Sequence, residues 1–579
     1  MWLRILRTMN DVSTVAAWGL HIMLHQIFAF ARVLFALSAI LVALPSEAAA
    51  TVWLSFNTAQ SPVGDVQPVR ISGSITTSFS LTDGNAVVQV RDANGNTVFE
   101  KDVSNLNFQP NTALPISFTY TPVVSGTFSI SAGLFSSDWK TTYQWTDQLS
   151  FFAVSASTAA RTYYVSPTGS NGNPGTLSAP LQTIGYAVSL AQPGTDIIVR
   201  AGTYYEAVGI GASGMAGAPI RLYAYGGEKV IVDGSANSAN ANNIGTSGAY
   251  VVINGFEVQN SKNAGIAVYN THHVTISNNI VHGSYSAGIA STNWINIGNS
   301  HDNVIQGNVV YNNVLQNSAR TASGGWSQGI SVSWDNNSII TENTSYNNYG
   351  EGIGTFLSVG VMISNNVVYD NYSVEIYLDN AANATVNANS IYNTGNSGFF
   401  RNGYQASSIQ LARETYSQSE PLANLTITNN VAVNGASGFY YGNYGSGGGI
   451  QNSLIANNTF VNATNIAIYI DPSPGHSGNT YANNIVYENV TGRTLVAGTN
   501  SGATFSHNNW FGGSAGYFAG AGDVNADPQF VTSGMVAATD YVLQPITSPC
   551  RGAGIPLSQV TTDYFGQTRS VPPTIGAFN

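Results

Sequence analysis

Two glutamates have a spacing that fits acid–base chemistry. Glu351 and Glu375 lie 24 residues apart, at the start of two short apolar-alternating segments, EGIGTF and EIYLD. If these segments are neighbouring strands, the two carboxyl groups should lie roughly 5–7 Å apart by strand spacing. Such a pair fits the two carboxylates of a glycosidase or ligands for a hard cation such as Ca²⁺. The sequence demands no cofactor, and no metal ligand set can be assigned.

The neighbouring side chains extend this candidate site. Strict alternation over 375–379 predicts that Glu375, Tyr377 and Asp379 point outward. A register slip by one residue in GFFRN (398–402) would expose Arg401 beside Asp379. The predicted catalytic residues are Glu351, Glu375, Asp379 and Arg401.

Aromatic and charged side chains cluster in the same stretch, about 320–405. Aromatic faces along a groove suit pyranose rings. The predicted substrate-binding residues are Arg320, Trp326, Trp334, Asp335, Phe356, Tyr377, Phe400 and Tyr404.

A repeat predicts the elements that position these residues. An asparagine closes each copy of a Val/Ile/Thr-rich run, with a shortest period of 23 residues between Asn343, Asn366 and Asn389. Short alternating runs at a fixed period indicate strands stacked as coils of a solenoid. The repeated asparagines should then form a hydrogen-bonded ladder, as stacked Asn does elsewhere. The predicted ladder is Asn279, Asn308, Asn343, Asn366, Asn389, Asn430, Asn458, Asn484 and Asn508.

Two features delimit the solenoid and its functional face. The segment 180–191 has Leu181, Ile184 and Val188 on one helical face and predicts a helix that covers the first coil, while the tail from about 513 should cover the other end. The period is broken by insertions near 293–301, 315–327, 402–422 and 442–450. Loops on a rigid scaffold concentrate binding residues, so these insertions favour the shelf near 320–405 as the site.

The repeat, together with the segments 163–206, 527–531 and 540–554, resembles the pectate-lyase-like superfamily. The resemblance implies a right-handed parallel β-helix of about 10 coils with an N-terminal capping helix, and polysaccharide chemistry as the leading function. The polygalacturonase pattern (NTD, DD, GHG, RIK) and the Asp-Pro-His-Asp signature of alginate epimerases are absent.

The remainder of the chain predicts an exported two-domain protein. Residues 1–50 resemble a secretory signal peptide, with Met1 or Met23 as the start. Residues 51–155 read as about seven strands of an Ig-like β-sandwich, 156–161 as a linker, and 162–579 as the β-helix. The fold class is therefore all-β.

Charge and cysteine content limit the partners. The net charge is −11 and there is no basic stripe, which excludes nucleic acid as a partner. The single cysteine, Cys550, excludes an intrachain disulfide framework. We expect a monomer without a membrane span after signal removal, secreted or located in the periplasm or at the cell surface of a bacterium.

The expected function is a secreted glycan-degrading enzyme that binds its chain along the shelf near 320–405. A lyase needs a base and positive charge near the uronate, whereas a hydrolase needs two carboxylates, and both remain open. The alternative is a non-catalytic glycan-binding, adhesion or structural solenoid.

Overall fold

A computed structural model describes residues 51–58, 69–120, 122, 125–154, 159–293, 299–416, 421–445 and 448–579. The predicted signal peptide at 1–50 lies outside these residues and stays a prediction. Among the described residues, no helix has the length and apolar character that crossing a membrane would require.

The N-terminal part is a β-sandwich. Its seven strands form two antiparallel sheets that share one apolar core, which includes Ile71, Val88 and Phe128. The first sheet contains Val52–Thr58, Val69–Thr77 and Leu114–Tyr120, and the second contains Thr97–Phe108, Leu81–Arg91, Gly126–Phe135 and Thr142–Val154. The sandwich agrees with the predicted strand pattern, and its Ig-like character remains a prediction. Residues 155–158, at the expected boundary and in the expected linker, lie outside the described residues. Arg161–Val165 is already a strand of the parallel β-helix described next.

The rest of the chain is a parallel β-helix with three long sheets, as predicted. Each coil crosses a first sheet, a second sheet and then a third sheet, which we call the shelf sheet. The first sheet contains Arg161–Val165, Thr195–Val199, Ile220–Ala224, Val251–Asn254, Thr275–Ser277, Val304–Gln306, Ile339–Thr341, Met362–Ser364, Thr385–Asn387, Thr426–Thr428, Leu454–Ala456, Asn479–Ala482 and Ala503–Ser506.

The second and shelf sheets run alongside it. The second sheet contains Gly202–Tyr204, Val230–Asp233, Glu257–Gln259, Ile280–His282, Val309–Tyr311, Thr344–Tyr346, Val367–Tyr369, Ser390–Tyr392, Val431–Val433, Thr459–Val461, Ile485–Tyr487 and Asn509–Phe511. The shelf sheet contains Val208–Ile210, Ile244–Thr246, Ile266–Tyr269, Ile289–Thr292, Gln328–Ser333, Glu351–Phe356, Val374–Asp379, Ser407–Glu414, Phe439–Tyr444, Ile468–Ile470 and Val496–Gly498. Two short pairs join Ser300–His301 to Asp335–Asn336 and Arg493–Thr494 to Gly513–Ser514.

The asparagine ladder forms as predicted. For example, the backbone N–H and the side-chain amide of Asn343 both donate to Oδ1 of Asn366, at 2.9 and 3.1 Å. The residue before each ladder asparagine adopts a left-handed conformation, as Asn365 does with φ of 57°. Asn tolerates this region at little cost, which explains why Asn-Asn recurs at this turn. The ladder thus satisfies buried backbone groups at a bend where no strand can.

The ends of the helix are covered, with one correction. The capping helix spans only Ile184–Ser189, with Ile184, Ala187 and Val188 buried. It begins later than predicted because Leu181 bridges Val165 and bonds the first strand. At the other end, the backbone N–H of Asn508 donates to Asp523 at 2.9 Å, so the tail terminates the ladder.

The predicted loop 402–422 contains a strand instead. Ser407–Glu414 pairs with Val374–Asp379 and occupies the place in the shelf sheet that was predicted for GFFRN. Ile409 and Leu411 are fully buried, so this alternating segment supplies the core residues that the coil needs. Ser397–Phe399 forms a 3₁₀ turn that is capped by Asn396, and Leu315–Asn317, Gly516–Phe518 and Ala538–Tyr541 form similar turns.

Candidate active site on the shelf sheet

The outer face of the shelf sheet aligns polar and aromatic side chains across successive coils. The register pairs Gly354 with Tyr377, Tyr377 with Gln410, and Gln410 with Tyr440. Each strand alternates these residues with core residues such as Ile376 and Leu378. A continuous row results. Gly354 has no side chain in this row, and the Gln328 side chain occupies the space that a Cβ at this position would need.

Glu351 stands at the edge of this row in a buried recess. Its Oε1 accepts a hydrogen bond from Trp326 Nε1 at 2.8 Å, and Oε2 has no hydrogen-bond partner among the described residues. The side chain is buried. Burial raises the pKa of Glu351 to about 7, against the opposing effects of the Trp326 bond and the Arg401 charge. A carboxyl with this pKa can exchange a proton near neutral pH.

Asp379 lies on the next coil and is also buried. Its Oδ1 has no partner in the described part of the chain, and its Oδ2 lies 3.0 Å from the Tyr416 hydroxyl. Burial raises the pKa of Asp379 to about 8, and the charges of Glu414 and Glu351 act in the same direction. Asp379 is therefore the more readily protonated of the two recessed acids.

Tyr416 connects Asp379 to a third acid. Its hydroxyl lies 2.8 Å from Oε2 of Glu414 and 3.0 Å from Oδ2 of Asp379. One hydroxyl carries one proton, so it cannot donate to both carboxylates. If Tyr416 donates to Glu414, a protonated Asp379 can donate to Tyr416. Glu414 also accepts from the Tyr377 hydroxyl at 2.7 Å, which completes a hydrogen-bonded row of acids and phenols.

Glu375 is not on the shelf, which corrects the predicted pairing with Glu351. It is fully buried, and its Oε2 accepts from the side-chain amide of Asn371 at 2.6 Å. The in-and-out alternation of side chains fails at the start of this strand, because Glu375 and Ile376 both face inward. Glu375 occupies the position that Gly352 holds in the preceding coil. Glu375 terminates a second ladder, in which the backbone of Asn348 donates to Asn371 and Asn371 donates to Glu375.

Arg401 lies near Glu351, whose pKa its charge lowers, rather than beside Asp379. It leaves the sheet with the loop that carries it, donates to Ser373 Oγ at 3.0 Å and to the Ser323 carbonyl at 2.8 Å, and stacks on the Trp326 ring at 4.8 Å. The predicted exposure beside Asp379 is wrong, because GFFRN is not a strand. Arg401 instead stacks on the Trp326 ring that donates to Glu351, and its charge lowers the pKa of that carboxyl.

The remaining predicted residues divide between the shelf and the scaffold. Asp335 is fully buried and accepts hydrogen bonds from Ser338 at 2.5 Å and Asn303 at 3.1 Å, so its predicted place on the shelf is wrong. Phe356 packs edge-on against Trp334 and against Tyr416. These aromatic rings wall the recess that holds Asp379.

The loop residues take different positions. Tyr404 is exposed and pairs with Arg401 across a tight turn, and Phe400 is half-buried in the same loop. Arg320 donates to the Gly398 carbonyl and its own carbonyl accepts from Tyr372. Arg320 therefore joins the insertion near 315–327 to the turn at Ser397–Phe399 rather than presenting a free cation.

Three residues of the site were missed by the sequence reasoning: Gln410, Glu414 and Tyr416. They lie on or after the strand Ser407–Glu414, in a segment for which the sequence predicts a loop. The alternation of Ile409 and Leu411 within SSIQLARE was the available signal.

Among the described residues, the recessed acids do not form a cluster of three converging ligand atoms. Ca²⁺ takes six to eight oxygen ligands, and carboxylates that share one ion lie within a few ångströms of one another. Within the described ranges, the one cluster of at least three His, Cys, Asp or Glu ligand atoms at such distances is His273, His301 and Asp302, away from these acids. We therefore assign no step of the chemistry to calcium.

These features define the protein as a right-handed parallel β-helix protein with a recessed acidic site on one sheet. The chain belongs to the family of Pel9A-like right-handed β-helix regions, whose model matches residues 163–484. This membership confirms the predicted fold.

Two curated relatives share short segments with the chain. Pectate lyase PEL9 of Emericella nidulans is 46% identical over 86 residues, which cover 14% of this chain and 21% of the relative. The uncharacterized protein YwoF of Bacillus subtilis is 40% identical over 73 residues, covering 13% and 16%. The chain thus matches about a fifth of the length of these relatives or less.

Among solved structures, the crystal structure of pectate lyase Pel9A is 20% identical, with a TM-score of 0.47, and the match covers 73% of this chain and 97% of that one. A complex of XylC with xylose is 13% identical, with a TM-score of 0.49, covering 72% and 98%.

Proposed function

We propose that this protein is a secreted polysaccharide-cleaving enzyme that binds its glycan along the shelf sheet. The observation that carries the proposal is the pair of buried carboxyl groups, Glu351 and Asp379, on adjacent coils. Each has a raised pKa and one oxygen without a partner in the described structure. Buried acids with perturbed pKa values beside aromatic walls are typical of catalytic sites.

Hydrolysis is the reaction that these residues support best. It needs one protonated carboxyl to protonate the leaving oxygen and one carboxylate to act as base or nucleophile. Asp379, with the higher pKa, is suited to the acid, and Glu351 to the carboxylate. Tyr377, Phe356 and Trp334 would contact the sugar rings, since aromatic faces pack on pyranoses.

β-Elimination is the second candidate, favoured by family membership and by the name of the fungal relative. It needs a base for the proton next to a uronate carboxyl. The candidate phenols fit this role poorly: burial raises the pKa of Tyr377 well above its ordinary value, and the charges of Asp379 and Glu414 raise it further. Lys229 is held by Glu257 at 2.7 Å on another sheet.

The experiment is a polysaccharide panel that covers neutral glycans and polyuronates. Products are followed both by absorbance at 235 nm, for unsaturated ends, and by reducing ends. Reducing ends alone support hydrolysis, and a gain in absorbance supports elimination. No product with any substrate would contradict the enzyme proposal and favour a glycan-binding or structural solenoid.

Glu351→Gln and Asp379→Asn should each abolish turnover, because both remove a titratable group and keep its shape. Glu375→Gln is the matched control. It makes the same change at a glutamate in the neighbouring strand, but the side chain of Glu375 points into the interior of the β-helix. Loss of activity in all three variants alike would contradict the assignment of the site.

A further inference from the structure

Two consecutive coils bring three histidines together at the corner after the shelf sheet. His272 and His301 are bridge partners, and their rings stack at 4.7 Å with an angle of 8°. His273 and Asp302 follow them, and both adopt left-handed conformations with φ of 56°. Four ligand-type side chains therefore form a two-by-two array on the surface.

The ligand atoms of this array converge. One atom each from His273, His301 and Asp302 lies within 4.8 Å of the other two. His301 Nδ1 is 2.7 Å from the Asp302 carboxylate, and His272 Nδ1 is 2.8 Å from His273 Nδ1. The Tyr250 ring stacks on His273 at 4.6 Å and restricts its orientation.

The turn itself does not require these residues. The next coil places Asn336 level with His301, and the coil after it places Val359 there. Asn337 and Gly360 hold the left-handed position that Asp302 holds here. Asn and Gly satisfy that conformation without ligand chemistry, so the His-His and His-Asp pairs add a donor set that the fold does not need.

We propose that His273, His301 and Asp302 bind a divalent transition-metal ion of the Zn²⁺ type. Imidazole and carboxylate are ligands that Zn²⁺ accepts, and three protein ligands leave a position open for water or another ligand. His273 and Asp302 are exposed and His301 is half-buried, so an ion can enter from solvent. A bound ion would join two coils at the insertion near 293–301. The site is separate from Glu351 and Asp379 and does not depend on the proposed function.

The test is titration of the full chain with ZnCl₂ by isothermal calorimetry, together with the visible spectrum of bound Co²⁺. We expect one equivalent of Zn²⁺ and a rise in Tm with Zn²⁺ concentration, because an ion that binds only the folded state stabilises it. The double variant His301→Asn/Asp302→Asn reproduces the residues of the next coil and should therefore fold. It should bind Zn²⁺ at least ~10-fold more weakly.

His273→Asn is a second, independent variant with the same expected loss. His282→Tyr is the control, because His282 stacks on Tyr311 in the second sheet and should leave Zn²⁺ binding intact. Absence of binding to the unaltered chain, or equal binding by the folded double variant, would overturn the proposal. Loss of binding in His282→Tyr alone would overturn it as well, by locating the ion elsewhere.

Discussion

Glu351 and Glu375 lie on adjacent coils but face opposite sides of the shelf sheet. The register of Ile353 with Ile376 sets Glu375 level with Gly352 and one position beyond Glu351. A shift of one position along a strand is enough to place a side chain inside the β-helix instead of in the recess on its surface. Their substitution should separate catalysis from stability.

Glu375→Ala should destabilise the protein without touching the candidate chemistry. It leaves the Asn371 backbone and side-chain donors without an acceptor, which costs about 1–3 kcal/mol for a buried group. Chemical denaturation should show a lower midpoint, while kcat of the folded protein on its substrate stays unchanged. Glu351→Gln should show the reverse pattern, with no turnover and with a midpoint that is unchanged near pH 4, where the carboxyl that it replaces is protonated.

The raised pKa values of Glu351 and Asp379 predict a pH dependence of stability. In the unfolded chain both acids titrate near their ordinary values, about 4 to 4.5. The folded protein therefore binds more protons than the unfolded chain from there up to about pH 7 and 8. The contribution of these two acids to stability is then greatest below the unfolded pKa values and is lost as pH rises through the folded ones.

Thermal melts between pH 4 and 9 measure this dependence. The double variant Glu351→Gln/Asp379→Asn should flatten the fall, because neither amide titrates. An equally steep fall in the double variant would place the responsible groups elsewhere, for instance at Glu488, whose pKa burial also raises to about 7.

Elements of the helix follow from the sequence wherever the repeat is regular. The repeated asparagines, such as Asn343, Asn366 and Asn389, predict the ladder, because each must bond the same buried backbone groups at the bend. A local sequence pattern therefore implies a long-range contact. The site was less predictable, because it depends on where the repeat changes. Replacing Gly by Glu375 suggested a surface acid, yet that position faces inward and the acid ends a ladder.

The strand Ser407–Glu414 shows the second limit. An insertion within this coil places the strand several residues later in the chain than the repeat predicts. The segment GFFRN stands at the position where the repeat predicts the strand. Only packing distinguishes them: Ile409 and Leu411 fill the core, whereas Arg401 could not be buried there without a charged partner. Glu414 and Tyr416 were lost with the strand.

Gly352→Ala should destabilise the protein and so measure how closely neighbouring coils pack at this position. A Cβ at Gly352 would lie 2.5 Å from the Asn371 amide nitrogen and 2.5 Å from Val368 Cγ1. Such crowding typically costs about 1–3 kcal/mol. Gly209→Ala is the control on the same sheet, since nothing lies within 4 Å of its Cβ. Equal denaturation midpoints for the two variants would contradict the close packing of coils at this position.

At the scale of the whole molecule, the sandwich packs along the β-helix and is bonded to it at separate points. The Glu342 carboxylate accepts from the Thr119 backbone at 2.6 Å and from its hydroxyl at 2.7 Å. Asn107 donates to Asp540 near the C-terminal tail. A cavity of about 610 Å³ lies between the two parts, lined by residues such as Phe99, Tyr225 and Asn278, and it contains none of the recessed acids. Glu342 belongs to the coil that carries Glu351, but it lies at the turn between the first and second sheets rather than on the shelf sheet that holds the recessed acids.

Glu342→Asn should loosen this contact while the helix stays intact. Asn365 occupies the same left-handed turn position one coil later, so Asn suits the backbone there but is too short to reproduce both bonds to Thr119. Burial lowers the pKa of Lys101, and the negative charge of Glu342 opposes this effect. Removal of the Glu342 carboxylate therefore also leaves the charged form of Lys101 less stabilised. Calorimetry should show the sandwich unfolding at a lower temperature than in the unaltered chain, separate from the helix. Asn365→Gly, which alters the equivalent turn, should leave the sandwich transition in place; a matching shift in both variants would mean that the helix turn, and not the bond to Thr119, stabilises the sandwich.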